Sequence, residues 1–241
     1  EAPLLWNMVL YRVLSLLVPV WRKGGLGFRT GETLHDHAAW ADNLWLSAHS
    51  REAVCKMAQG LTDVLERVGL RWKPASLELM SSTRVSARPF VICSRIGNLL
   101  VKAVRRMDVL GVRLDKQGST KTASQHRLSK ASHAFHAEWG VLGCKEVSLR
   151  ARFERFYQRI TTAALHGSDG WVWPQSLYQR VRTWETRHLR RMLRARRRPH
   201  EEWPAWHKRT GRMGRAPARK FGFVSLGDRL LANIFRHGRR V

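Results

Sequence analysis

The four residues Trp40-Ala41-Asp42-Asn43 lie between two short apolar runs, 38–40 and 44–48. Such a pattern predicts a strand, a tight polar turn and a second strand. We therefore expect a β-hairpin whose turn presents the Asp42 carboxylate and the Asn43 amide. Because Mg²⁺ prefers carboxylate ligands, Asp42 is the candidate metal ligand, while Asn43 offers a neutral oxygen and should hold a cation less well.

Around this hairpin the sequence predicts helices and short strands. Apolar residues recur at helical spacing over 3–18, which indicates a buried core helix that ends near Pro19, and again over 50–68. Ser50 is a suitable N-cap for the second helix, and Gly69 is a suitable residue just beyond its end. Short strands are predicted at 70–72, 76–80, 90–93 and 109–114.

The second half of the chain has a different pattern. Helical periodicity dominates over 121–142, 148–166 and 175–195. We therefore predict an α+β fold with a boundary near residue 118. The predicted regions are 1–118, which mixes helices and strands, 119–198, which is helical, and 199–241, which is a basic C-terminal extension.

The chain as a whole is strongly basic. Its 241 residues include 44 Lys and Arg against 18 Asp and Glu, which gives a formal net charge of +26. Self-repulsion of this size favours a polyanionic partner, so nucleic acid is the first candidate and an anionic membrane surface is the second. The three cysteines are scattered, which indicates no disulfide framework and a reducing, intracellular compartment.

Many of the basic residues lie between positions 187 and 220. The first four are spaced so that they share one side of a helix, with almost no acidic compensation. Such a surface suits a phosphate backbone, and a minority of the tryptophans could stack on bases. A solvated tail anchored by tryptophans is the alternative. The candidate nucleic-acid-binding residues are Arg187, Arg190, Arg191, Arg194, Arg196, Arg197, Arg198, Lys208, Arg209 and Arg212, and the interleaved tryptophans are Trp184, Trp203 and Trp206.

The order of these features resembles the reverse transcriptases of non-LTR retrotransposons, from the middle of the palm to the thumb and beyond. Residues 3–7, Pro-Leu-Leu-Trp-Asn, are similar to a run that opens a palm helix in that family. The turn at 40–43 is similar to its aromatic-Ala-Asp-Asp motif, with Asn43 in place of the second acid. Leu110-Gly111-Val112, followed by Gly118, resembles its primer-grip region, and the later helical segments resemble its thumb.

The resemblance implies an activity and a set of residues. The family copies RNA into DNA by two-metal nucleotidyl transfer, which needs Mg²⁺, deoxynucleotides and an RNA or RNA/DNA primer-template. It implies catalytic positions at Asp42, Asn43 and Lys73, with Asp42 as the metal ligand. The implied regions are an incomplete palm over 1–118, a helical thumb over 119–198 and a basic region over 199–241.

The catalytic set implied by this resemblance is incomplete. The family has a further aspartate on an earlier palm strand, which would precede residue 1, and Asp36 does not have the expected strand context. The chain also starts with Glu1 rather than Met. We therefore expect a fragment of a longer product that is inactive alone and whose first helix is uncovered on one face. A non-enzymatic nucleic-acid-binding remnant of a retroelement is the alternative.

The apolar run 4–21 also raises the question of a membrane span. Polar residues and Pro19 interrupt it, and a span needs about 20 mainly apolar residues, so we predict none. A membrane-surface protein that uses this run and the basic tract is a third alternative. Because basic tracts also serve as nuclear import signals, we expect an intracellular and, in a eukaryotic host, a nuclear protein.

Overall fold

The computed structural model describes residues 2–82, 88–172 and 174–238. The chain divides between Arg105 and Arg106 into two compact units, each with its own buried core. Both units combine helices with small sheets, so the predicted α+β class is confirmed at this coarse level.

The first unit has a long helix at its start and another in its centre. In chain order its elements are α1 (Ala2–Lys23), β1 (Phe28–Thr30), β2 (Thr33–His35), β3 (His37–Trp40), β4 (Asn43–Leu46), α2 (Arg51–Arg67), β5 (Glu78–Leu79), β6 (Phe90–Ser94) and β7 (Gly97–Ala103). The pairs β1–β2 and β3–β4 are antiparallel hairpins. The remaining strands form a sheet of order β5-β7-β6, in which β5 is parallel and β6 antiparallel to β7.

Helix α2 lies between α1 and the β5-β7-β6 sheet. The buried residues of its contact with α1 are Val13, Leu17, Trp21, Met57, Leu61 and Leu65. On the other side, Ala58 packs against Ile92 and Val101 of the sheet. The Ser50 hydroxyl accepts the N–H of Ala53 at 3.1 Å, which confirms the predicted N-cap.

Helix α1 continues to Lys23, beyond its predicted end at Pro19. Pro19 removes one backbone hydrogen bond, but the next turn carries Trp21, which is 2% exposed, and its burial holds the helix together. The prediction of a core helix is correct for one side only. The opposite side is apolar and uncovered, as expected, and its exposed residues are Leu4, Leu5, Met8, Tyr11, Leu16 and Val20.

This helix also has the composition of a possible membrane span. Within the described ranges, one helical segment, Leu4–Lys23, is long and apolar enough to cross a bilayer, and its mean hydropathy is 1.6. Core helices and signal sequences pass the same test, so composition alone assigns no span here.

The strands predicted in the first unit form in part. Strand β6 confirms the prediction at 90–93, and the predicted hairpin forms as β3–β4 with Trp40 paired to Asn43. No strand forms at 70–72. There the Trp72 indole N–H donates to the Thr62 hydroxyl at 2.8 Å, and the ring packs against both cores of the unit, so side-chain burial rather than strand pairing directs the chain.

The strand predicted over 109–114 is interrupted: residues 109 and 112–114 are in strands, but Leu110 and Gly111 form a hairpin turn between them. This turn joins β8 (Arg106–Val109) to β9 (Val112–Asp115), and Val109 pairs with Val112. Leu110 and Gly111 have φ of 49° and 77°, the two successive positive values that a type I′ turn requires.

The second unit begins with this hairpin, which places the division before the predicted boundary at 118. The other elements are α3 (Thr120–Ala137), α4 (Trp139–Leu142), α5 (Leu149–Arg155), a π-helical turn (Phe156–Ile160), α6 (Thr161–Leu165), α7 (Gln175–Met192), α8 (Trp203–Lys220) and α9 (Leu226–Gly238). The Asp115 carboxylate accepts the N–H of Ser119 at 2.8 Å, and Arg127 donates to the Gly111 carbonyl at 3.1 Å. These bonds attach the hairpin to α3.

The described part of the predicted extension, 199–238, is folded against the predicted helical region rather than separate from it. Leu226 and Leu230 of α9 and Ala218 of α8 are buried in the same core as Phe153 and Leu189. Residues 106–238 therefore share one core, because apolar residues on α8 and α9 complete the burial of α7.

Candidate nucleic-acid interface

Helix α8 has one small-residue face and one basic face. Its buried residues are Thr210, Gly211, Gly214 and Ala218. Because these side chains are small, the helix lies close to α7: a Cβ built on Gly214 would be 3.1 Å from the Cβ of Leu189. Much of the remaining helix surface is thereby left open to solvent.

Four basic side chains form a row along this exposed face, which we name the α8 row. Its members are Lys208, Arg212, Arg215 and Arg219, which are all exposed. Their spacing of four, three and four residues keeps them on one side of a helix over about 16 Å. None of them forms an ion pair within the described part of the chain, although Arg215 donates to the Gly211 carbonyl at 3.0 Å. Lys208, Arg212 and Arg219 are therefore free to meet phosphates, and Arg215 can do so through the guanidinium N–H groups that Gly211 does not use.

The predicted binding residues divide into two groups in the structure. The first group is exposed and has no side-chain hydrogen bond or ion pair among the described residues; it consists of Arg187, Arg196, Arg198, Lys208 and Arg212. Exposed Arg197 and Arg191 lie over the rings of Trp203 and Trp139, at 4.8 and 5.6 Å from the ring centroids. These seven side chains remain candidates for phosphate contacts.

The second group bonds to the protein itself. Arg194 lies beyond the end of α7 with φ of 52° and donates to the Gly143 carbonyl at 2.9 Å, so it does not belong to the predicted helical side. Arg190 donates to the His207 carbonyl at 3.0 Å. Arg209 pairs with Glu201 at 2.7 Å, and this bond lowers the pKa of Glu201 to about 2. Arg209, a predicted binding residue, therefore has an acidic partner within the protein.

The interleaved tryptophans also differ from one another. Trp184 is a core residue whose indole N–H donates to Ser132 at 3.0 Å, so it cannot meet a ligand. Trp206 is half-buried, with the Arg190 guanidinium 4.8 Å from its ring centroid. Trp203 is exposed and lies at the start of α8.

Substituting Gly214 with leucine should displace α8 from α7. The new side chain would overlap Leu189, and such overpacking costs about 1–3 kcal/mol, offset in part by roughly 0.8 kcal/mol of helix propensity. We expect a lower free energy of unfolding in urea than for Ala216→Leu, a matched change on the exposed side of the same helix. Equal stability of the two variants would show that the contact at Gly214 is not close.

The turn predicted as a metal-binding site lies in the first unit and is exposed. Ala41 has φ of 52°, and its carbonyl accepts the indole N–H of Trp6 from α1. The Asn43 amide donates to the Asp42 carboxylate at 3.1 Å. The two side chains thus bond to each other, and the turn offers a cation one carboxylate and the neutral amide oxygen of Asn43.

The other sequence candidates do not complete this site. Lys73 is exposed, and its carbonyl accepts from Ser76; no described hydrogen bond or ion pair joins it to Asp42. Asp36 is 3% exposed and binds Arg22 at 3.0 Å and His37 at 2.6 Å. Burial raises the pKa of Asp36, but these two partners outweigh burial and lower it, so Asp36 is an ion-paired structural residue.

The donor set of this unit does not fit the two Mg²⁺ ions that the family resemblance implies. In residues 2–82, 88–172 and 174–238, no three His, Cys, Asp or Glu side chains form a group able to hold a metal ion, whereas a two-metal site needs several carboxylates. No protein-family model, curated protein or solved structure matches the chain.

Proposed function

We propose that the chain binds RNA or an RNA/DNA primer-template through its second unit and does not polymerise nucleotides by itself. The observation that carries this proposal is the α8 row: four exposed cations on one helical face without an acidic partner in the described chain. The free arginines at 187, 196 and 198 and the net charge of +26 support it.

Phosphate contacts of this kind give binding a characteristic dependence on salt. Each neutralised phosphate releases counterions, so the logarithm of the affinity falls with the logarithm of the salt concentration by about 0.7 per contact on single strands. We expect the four cations of the α8 row to contribute about 3 to this slope. Fluorescence anisotropy with labelled RNA over a salt series measures it. Salt-independent binding, or no binding to RNA and duplex alike, would overturn the proposal.

A second candidate is that the chain derives from a reverse transcriptase. The observation that favours it is the β3–β4 hairpin, in which Asp42 lies in the turn as the family resemblance implies. On this proposal the turn contributes one of the several metal-binding carboxylates of the parent enzyme.

Purified chain should incorporate no deoxynucleotide into a primer-template in the presence of Mg²⁺. The reason is the lone carboxylate: Asp42 has only the neutral Asn43 amide beside it, and a single carboxylate cannot place two cations. A gel-based primer-extension assay measures this. Mg²⁺-dependent extension that is lost in Asp42→Ala would refute the proposal that the chain is inactive alone.

A further inference from the structure

Trp203 is an exposed aromatic residue with a fixed support. Its side chain is 57% exposed, although it belongs to the first turn of a helix that packs on α7. The Arg197 guanidinium lies 4.8 Å from its ring centroid, and the Trp206 ring is edge-on to it at 5.3 Å and 89°. The chain therefore holds the ring in place and leaves much of its surface open to solvent.

The support is itself anchored to α7. Trp206 is half-buried, the Arg190 guanidinium lies 4.8 Å from its ring centroid, and Arg190 donates to the carbonyl of His207 at 3.0 Å. Because Trp206 and Arg197 already hold the Trp203 ring in place, stacking a flat ligand on the ring immobilises few further side-chain torsions. Preorganisation of this kind lowers the entropic cost of binding.

The surroundings of Trp203 carry positive charge. Arg196, Arg197 and Arg198 are exposed and lie five to seven residues before Trp203, and Lys208, the first member of the α8 row, lies about 8 Å further along the helix axis. Of the two intervening glutamates, Glu201 is paired with Arg209 and Glu202 is exposed, so the cations outnumber the free acid. A nucleic acid that tracks these cations brings its bases within reach of the ring. Every base has a π face that can stack on an aromatic side chain, whatever the sequence.

We propose that Trp203 stacks on an unpaired base and gives the second unit a preference for single-stranded nucleic acid over duplex. This inference rests on the proposed function, since it assumes that the basic surface binds nucleic acid. In a duplex the base faces are covered by neighbouring bases, so only the phosphate contacts remain. The cations contribute affinity for single strands and duplexes alike, and Trp203 adds affinity for single strands only.

The test compares Trp203→Ala with Trp40→Ala, which removes the exposed tryptophan of the β3–β4 turn in the other unit. The probes are a labelled single-stranded RNA of mixed sequence and its full-length duplex. Trp203→Ala should weaken single-strand binding roughly 5- to 100-fold, the range for loss of one stacked base, and leave duplex binding within about twofold. Trp40→Ala should leave both unchanged, and Trp203→Phe should restore most of the single-strand affinity.

Fluorescence provides a readout that a merely structural role of Trp203 would not change. Single-stranded RNA should quench the tryptophan emission of the wild-type chain. The Trp203→Phe variant should still bind the RNA but should no longer show that quenching. Equal losses for single strand and duplex in Trp203→Ala would overturn the inference and leave the proposed function standing. If the wild-type chain binds neither probe, the proposed function fails, and the inference fails with it.

Discussion

Replacing all four residues of the α8 row with glutamine should weaken binding to single-stranded RNA by roughly two orders of magnitude near physiological salt. The salt slope should fall by about 3, because each lost phosphate contact removes about 0.7 from it. The substitutions leave the buried face of α8 unchanged, and glutamine has nearly the helix propensity of lysine and arginine. The measurement is a salt series by fluorescence anisotropy, with circular dichroism to verify the helix content.

The control for this variant must remove the same number of positive charges from another part of the protein. Four exposed basic residues of the first unit serve this purpose, and they are Lys23, Arg29, Lys56 and Lys102. If the general positive field of the chain were responsible for binding, the two quadruple variants would weaken it equally. An α8-row variant that binds no worse than this control would refute the proposed interface. Residual binding is expected in both variants because the free arginines between 187 and 198 remain.

The largest expected loss of stability follows from Glu185, a buried carboxylate in α7. It is 4% exposed, and one of its oxygens accepts both the Tyr157 hydroxyl at 2.8 Å and the Leu226 backbone N–H at 3.0 Å. The residue therefore joins the π-helical turn, α7 and the start of α9. Glu185→Leu would leave two buried donors without an acceptor, and each such donor costs about 1–3 kcal/mol.

We expect Glu185→Leu to lower the free energy of unfolding of the second unit by about 2–5 kcal/mol. Glu185→Gln is the matched control, because its amide oxygen can accept both hydrogen bonds and should cost about 1 kcal/mol or less. Thermal or urea denaturation followed by circular dichroism at neutral pH compares the two. Equal destabilisation by leucine and glutamine would show that the charge, not the pair of hydrogen bonds, is what Glu185 contributes.

The same residue should make stability depend on pH. Burial raises the pKa of Glu185, and the charge of Asp228 raises it further. The hydrogen bonds from Leu226 and Tyr157 and the charge of Arg182 lower it, but burial outweighs them, so the net shift is upward. Between its ordinary value of 4.5 and this raised pKa, the folded chain binds the proton more tightly than the unfolded chain. Its contribution to stability is therefore fully present below the ordinary pKa and is lost as the pH rises through the raised one. The difference between wild type and Glu185→Gln should follow this course.

The local elements of the fold were predictable because their causes lie within a few residues. The Ser50 cap, the hairpin around Asp42 and the positive φ of 78° at Gly69 each depend on near neighbours in the chain. The missed turn at Leu110-Gly111 is different. An apolar residue with positive φ is unusual. The carbonyl of Leu110 is bonded by His166 and that of Gly111 by Arg127, and both partners lie far along the chain.

In the candidate interface, too, some features follow from neighbouring residues and others from distant contacts. The sequence locates the basic tract, and the spacing of Lys208, Arg212, Arg215 and Arg219 indicates a row once that segment is known to be helical. It does not show which cations are free. The acceptors of Arg194, Arg190 and Arg209 lie 51, 17 and 8 residues away in the chain.

The sequence by itself therefore determined the α+β class, most of the helices, the acidic turn and the high positive charge. Tertiary structure alone decided that residues 203–238 pack on the helical unit, that Arg190, Arg194 and Arg209 bond to the protein, and that Trp203 stays exposed while Trp184 is buried. The physical reason is the range of the interactions. Capping and periodicity act over one or two helical turns, whereas the exposure of a side chain depends on every distant segment that folds against it.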